Sequence, residues 1–207
     1  MRKRKRKTQG FAPMAFRLVL FFFLVGCTAR AVPLETKLNT PEHHVRSGMR
    51  LLAMGRYADA LREFELAKEF DSTFSKAYVG SGLAWSYRGD SQKGLKDLQR
   101  AEELATSNEE KIFVNVGFVR LYLIDRETRS KEWLQQAESA YKNAVAIKPN
   151  APEAHYYMAE AYLAAGQWEK ARKLFQKVLA IGTAYVDEAH NALQSIEREK
   201  ERQHDPS

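Results

Sequence analysis

The sequence is poor in the residue patterns that build most active centres. Its 207 residues include one cysteine, Cys27, which excludes an internal disulfide framework and any zinc or iron–sulfur site with several thiolate ligands. It has no glycine-rich phosphate loop, no His-Glu-x-x-His and no Gly-x-Ser-x-Gly elbow. His43 and His44 are adjacent, so on a helix they point about 100 degrees apart and do not share one metal ion. No catalytic residue, metal site or cofactor is expected. Nor is there an apolar run long enough to cross a membrane. Leu18 to Val25 is unbroken, but as a helix it is about 12 Å long against a hydrocarbon core of about 30 Å. Excess positive charge is missing from most of the chain as well. The formal charge is +7, from 33 Lys and Arg against 26 Asp and Glu, yet seven basic groups and no acidic one fall in residues 1–26. The remainder holds 26 of each sign and is formally neutral, which removes the main support for nucleic-acid binding. What is plentiful is core material: 44% hydrophobic and 11% aromatic residues, enough to fold one domain and to exclude global disorder.

The N-terminus reads as an export signal. Arg2 to Lys7 form a basic segment, Leu18 to Val25 the apolar one, and Gly26 and Cys27 follow at once. Leu24-Val25-Gly26-Cys27 resembles the bacterial lipobox. The resemblance implies cleavage between Gly26 and Cys27, loss of residues 1–26, and a covalent lipid on Cys27 that anchors the chain in a lipid bilayer. The chemistry is consistent, because a thiol is a nucleophile suited to acyl-glycerol transfer and a small Gly26 lets a protease approach the backbone. Two or three acyl chains hold a protein stably where one is marginal. Thr28, where Asp tends to retain lipoproteins at the inner membrane, implies the periplasmic face of the outer membrane. Residues 27–40 then form the lipidated cysteine and a polar tether.

From residue 41 the chain repeats itself. Gly48 recurs as Gly82, Gly55 as Gly89, Phe64 as Leu98 and Ala67 as Ala101, each 34 residues on. This period resembles the tetratricopeptide repeat, a pair of antiparallel helices with small residues at positions 8, 20 and 27 and larger ones at 4, 11 and 24. The resemblance implies an all-α solenoid of about four helical hairpins with a capping helix. Three repeats match it directly, over 41–74, 75–108 and 152–185. Thr40 is placed to cap the first helix, Pro41 suits its first position, and Gly55 ends it. A cap covers 186–203, and 204–207 form a tail. The third repeat, 109–151, is irregular. Its second helix, with Ala137, Tyr141 and Ala144, is in phase with the fourth repeat, but its first is displaced. Registers starting at 109 and at 110 both remain open, with Asp125 to Lys131 as an inserted polar loop.

In this family the first helices line a concave groove through positions 2, 5, 9 and 12, and the groove commonly holds a protein or peptide partner. Transferred position by position, the resemblance implies a site of Val45, Met49, Leu52, Val79, Leu83, Ser86, Tyr156, Glu160 and Leu163. The third repeat adds either Phe113 and Arg120 or Val114, Phe118 and Leu121. Such a strip is mostly apolar and suits a hydrophobic peptide or helix. The expectation is therefore a membrane-anchored periplasmic adaptor or scaffold in a cell-envelope complex, and not an enzyme. A pilotin-like lipoprotein of type IV pilus or secretin biogenesis is the alternative, and a cytoplasmic repeat adaptor a lesser one.

Overall fold

A computed structural model of the chain describes residues 39–127 and 132–204. Gly26, Cys27 and the tether as far as residue 38 lie outside the described residues, as do 128–131 of the inserted loop. Nine helices follow one another among the described residues: α1 Pro41–Ala53, α2 Tyr57–Phe70, α3 Ser75–Tyr87, α4 Ser91–Leu104, α5 Asn108–Ile124, α6 Trp133–Ile147, α7 Pro152–Ala164, α8 Trp168–Ile181 and α9 Val186–His204. They form four hairpins, α1–α2, α3–α4, α5–α6 and α7–α8, each first helix also touching the first helix of the next hairpin. An all-α solenoid results.

The local signals act as the sequence implies. Thr40 accepts a hydrogen bond from the His43 N–H at 3.2 Å, and Pro41 occupies the first turn of α1. Phe64, Leu98 and Phe175, at equivalent positions on α2, α4 and α8, are fully buried, and so are Ala60, Ala67, Ala101 and Ala171. The cap is α9. It lays buried Ala189 and Ile196 and half-buried Leu193 in one cluster with Phe175 and Val178 of α8, covering the apolar face that a solenoid otherwise leaves at its end.

The third hairpin departs from the other three, and the structure fixes its register. Asp125 ends α5 with φ −86 and ψ 7, the same conformation in which Met54, Arg88 and Ala165 end the other first helices. Matching these ends puts Ile112 at repeat position 1, not residue 109 or 110. Tyr122 then falls with Leu51, Trp85 and Tyr162, all half-buried, and Val119 with Gly48, Gly82 and Ala159, all buried. Gly117 falls with Gly80. Each seats on the large residue of the preceding second helix, since a Cβ on Gly80 meets the Phe64 ring at 2.2 Å and one on Gly117 lies 3.5 Å from Leu98. Ile112 is thus three residues later than the period predicts from Ser75 and six earlier than it predicts from Pro152. The first insertion becomes an extra turn, making α5 17 residues long where the other first helices have 13.

That extra turn has its own start signal. Ser107 and Glu110 form a capping box, in which Ser107 Oγ accepts from the Glu110 N–H at 3.2 Å and a Glu110 carboxylate oxygen accepts from the Ser107 N–H at 2.9 Å. Glu110 also accepts from the Thr106 N–H at 3.1 Å and from the Ser75 hydroxyl of α3 at 3.2 Å. The backbone N–H of Ser107, with these further donors, lowers its pKa from the ordinary 4.5 to about 2. Because the folded value is depressed, Glu110 stabilises the fold fully above pH 4.5 and loses that contribution as pH falls from 4.5 towards about 2. Glu110→Gln is therefore expected to lower stability at pH 7 by about 1 kcal/mol. In urea unfolding, its difference from wild type should shrink steadily below pH 4.5. A difference independent of pH would mean that the carboxylate charge plays no part.

Candidate functional site

Small residues let the first helices approach closely, and this decides which groove positions stay open. Ala77, Gly80, Ser81, Gly82 and Ala84 of α3 are all buried, and a Cβ on Gly117 of α5 would stand 2.7 Å from Val79. Successive first helices therefore cover one another's side chains. Of the residues assigned to the groove from the sequence, Val45, Leu52, Val79, Leu83 and Ser86 are buried, between 0 and 7% exposed. The four apolar ones share a core cluster with Val114, Phe118 and Leu121 of α5. These five are structural residues, which corrects their assignment to a partner surface. A charge at Leu83 would report on folding, not on binding. Met49, Tyr156, Glu160 and Leu163 remain partly exposed. Of the two alternatives for α5, Val114, Phe118 and Leu121 are core, while Phe113 and Arg120 are half-buried and line open space.

That open space consists of two adjoining recesses on the side of the solenoid formed by α1, α5 and α7. One, of about 530 Å³, is lined by Tyr87, Leu123, Glu160 and Leu163 together with Arg120 and Tyr157. The other, of about 450 Å³, runs from Met49 through Ile112 and Phe113 to Tyr185, and again includes Arg120 and Tyr157. The two shared residues form the bridge between them. The Arg120 guanidinium carbon lies 4.7 Å from the centre of the Tyr157 ring, a cation–π contact that holds the planar group over the ring face.

Tyr157 is itself held by neighbours. Tyr185 stacks on Tyr156 with centroids 4.6 Å apart and planes 14° apart, and meets Tyr157 edge-on at 5.6 Å. Tyr185 has φ 59 and is the non-glycine residue with positive φ among the described residues, a conformation costing about 1–3 kcal/mol. The stacking of its ring accounts for its tolerance there. Burial pushes the Tyr156 and Tyr185 hydroxyls above the ordinary tyrosine range, so both stay neutral. Burial likewise raises the Glu160 carboxyl.

Sequence reasoning missed Tyr157 and Tyr185. Tyr157 stands at repeat position 6, which is glycine in α3, and Tyr185 precedes the cap helix; the Tyr156-Tyr157 doublet was the available signal. The two histidines at packing positions pack. His155 is fully buried, with Tyr141 Oη at 2.9 Å from Nδ1 and the Pro149 carbonyl 2.9 Å from Nε2. Burial lowers its pKa, so it is a neutral ring that donates from Nε2 and accepts at Nδ1. His44 bonds Glu63 at 2.9 Å and stacks on Phe70. Among the described residues, no three His, Cys, Asp or Glu side chains are grouped to hold a metal ion, and no helix is long and apolar enough to cross a membrane.

The comparisons with known proteins agree with this architecture. Residues 134–199 match the family model of the tetratricopeptide repeat, a stretch that begins just after the inserted loop and runs through α6, α7, α8 and most of α9. No curated protein matches the sequence. Among solved structures, TTC0263, a thermophilic tetratricopeptide-repeat protein of Thermus thermophilus, is 23% identical. The similarity covers 78% of this chain and 84% of that one, with a TM-score of 0.61. MamA of Desulfovibrio magneticus RS-1 is 18% identical over 78% of this chain and 85% of its own, with a TM-score of 0.47.

Proposed function

We propose, from the premise that this chain is a tetratricopeptide-repeat solenoid, that it is a lipid-anchored adaptor of the bacterial cell envelope that docks a partner protein in the two recesses joined by Arg120 and Tyr157. The observation that carries the docking half of this reading is the bridge itself. An arginine and a cluster of tyrosines, partly exposed beside apolar recesses, is the composition that dominates protein-binding hot spots. Tyrosine contributes large, stiff contact area at low conformational cost, and arginine contributes directed hydrogen bonds.

The anchoring half rests on Leu24-Val25-Gly26-Cys27 and on the basic segment before it. In this reading Cys27 carries the lipid, the chain faces the periplasm from the outer membrane, and the residues before Pro41 tether the solenoid. The partner is a component of an envelope complex. One experiment tests both halves together. Cells fed a clickable fatty acid should label the wild-type chain and not Cys27→Ala, and the variant should leave the membrane fraction while still binding its partner. A wild-type chain that takes up no label under conditions that label a control lipoprotein contradicts the anchor. A membrane-bound chain with no protein partner contradicts the adaptor.

A further inference from the structure

The bridge also carries information about what the partner presents. Among the described residues Arg120 packs on Tyr157 and has no carboxylate within ion-pair distance. The acids that line the recesses do not serve it. Glu109 is ion-paired with Lys76. Glu160, which lines the same recess as Arg120, has its carboxyl raised by burial, with no lowering by a nearby cation; a carboxylate held by that guanidinium would be pulled down. Arg126, in the same recess, spends its N–H groups on the Leu123 carbonyl and on Glu127. The second recess is lined by two acids, Glu109, which Lys76 already holds, and Glu153, which Lys148 in the same lining offsets. Arg120 therefore stands half-buried over the Tyr157 ring and lines both recesses, with no hydrogen-bond or ion-pair partner among the described residues. A guanidinium partly removed from water with uncommitted donors is a strong site for a carboxylate, because the fork of N–H groups matches the two oxygens and the pair gains strength as water is excluded.

We propose that Arg120 is the specificity-determining residue of the groove and takes the side-chain carboxylate of an internal Asp or Glu in an otherwise apolar partner segment. This rests on the docking reading above and adds the chemistry of the ligand. An internal residue is indicated because the recesses extend on both sides of the bridge, towards Leu163 on one side and towards Met49 and Tyr185 on the other. A chain that places its acid over Arg120 has room to continue in both directions, whereas a terminal carboxylate would leave one recess empty. The apolar lining, with Phe113, Ile112 and Leu163, sets the flanking preference for aliphatic or aromatic residues.

The probe is a randomised twelve-residue peptide library, both ends fused or blocked, selected on the full chain in detergent and on Arg120→Gln and Arg120→Glu. Wild type should enrich Asp or Glu at one fixed position flanked by apolar residues, and Arg120→Glu should enrich Lys or Arg there. Changing the enriched acid to its amide should weaken binding to wild type at least about tenfold. The same change should have little effect against Arg120→Gln, because the two changes remove one interaction. Thermal unfolding checks that both variants are folded, and Arg120→Gln carries the test alone when the charge reversal is not tolerated. Peptides that bind wild type with no acid preference, or an acid preference kept by Arg120→Gln, overturn this inference and leave the docking reading standing. Failure of wild type to enrich any peptide overturns the docking reading and this inference with it.

Discussion

Phe64→Ala is expected to destabilise the solenoid by about 3–5 kcal/mol, read as a fall in the urea midpoint with an unchanged slope. The expectation comes from how the ring is seated. Phe64 lies on α2 and is fully buried. It fills the space left by two glycines on neighbouring helices. A Cβ on Gly48 of α1 would stand 2.6 Å from the ring, and one on Gly80 of α3 would stand 2.2 Å from it. One side chain thus closes its own hairpin and joins it to the next. Removing it opens a cavity that three backbones border, and helices pinned by backbone packing have little freedom to collapse into it. The converse change should also destabilise, since Gly80→Ala drives a methyl group into the ring. Combining Gly80→Ala with Phe64→Leu, which gives back part of that space, should cost less than the sum of the two. A loss under about 1 kcal/mol for Phe64→Ala would show that the glycines do not depend on the ring.

The second large effect concerns the site. Tyr157→Ala is expected to weaken partner binding by about 2 kcal/mol or more, at least roughly thirtyfold. The ring belongs to both recesses, so its removal merges them. It also frees Arg120 from the face 4.7 Å away and takes from Tyr185 the edge contact at 5.6 Å. A guanidinium released from its platform must be ordered again on binding, at a cost in conformational entropy that the stacked arrangement has already met. Tyr157→Phe keeps the ring and the cation–π face and should bind within a few-fold of wild type. Tyr157 is half-buried and packs on the core from its edge, so Tyr157→Ala should remain folded at some cost in stability, and its unfolding midpoint measured beside the binding constant separates the two contributions. If Phe and Ala weaken binding equally, the hydroxyl and not the ring would be the element that matters.

Most of the helical framework was legible because the repeat writes the same packing rule several times. Gly48 and Gly82, Phe64 and Leu98, and Ala67 and Ala101 recur at 34 residues, and in the fold Gly48 seats on Phe64 as Gly82 seats on Leu98. The third hairpin was not legible at its start. Registers from 109 and 110 both lose to 112, because three inserted residues extended α5 backwards by a turn, and helix periodicity cannot distinguish an extra turn from a shifted one. Ser107 and Glu110 carried the signature of that earlier start as a capping box. The site was legible only in part for a related reason. Position transfer assumes an average spacing between neighbouring hairpins, whereas the run of small residues on α3 and Gly117 on α5 brings these first helices close enough to bury Val45, Leu52, Val79, Leu83 and Ser86. Met49, Tyr156, Glu160 and Leu163 stayed accessible, and Arg120 was one branch of an open choice. Tyr185 was beyond reach of the repeat altogether. It lies between the fourth hairpin and the cap, and its position depends on a positive φ that nothing in a tyrosine's sequence context encodes.

The central claim is that a partner protein sits across Arg120 and Tyr157. Site-specific photo-crosslinking in living cells tests it most directly, with a benzophenone amino acid placed at Phe113, inside the second recess, or at Lys177, exposed on α8. The account predicts a discrete protein adduct from position 113 that is lost when Tyr157→Ala is added, and no adduct from position 177. An adduct from 177 with none from 113, or one from 113 that Tyr157→Ala leaves undiminished, would contradict it.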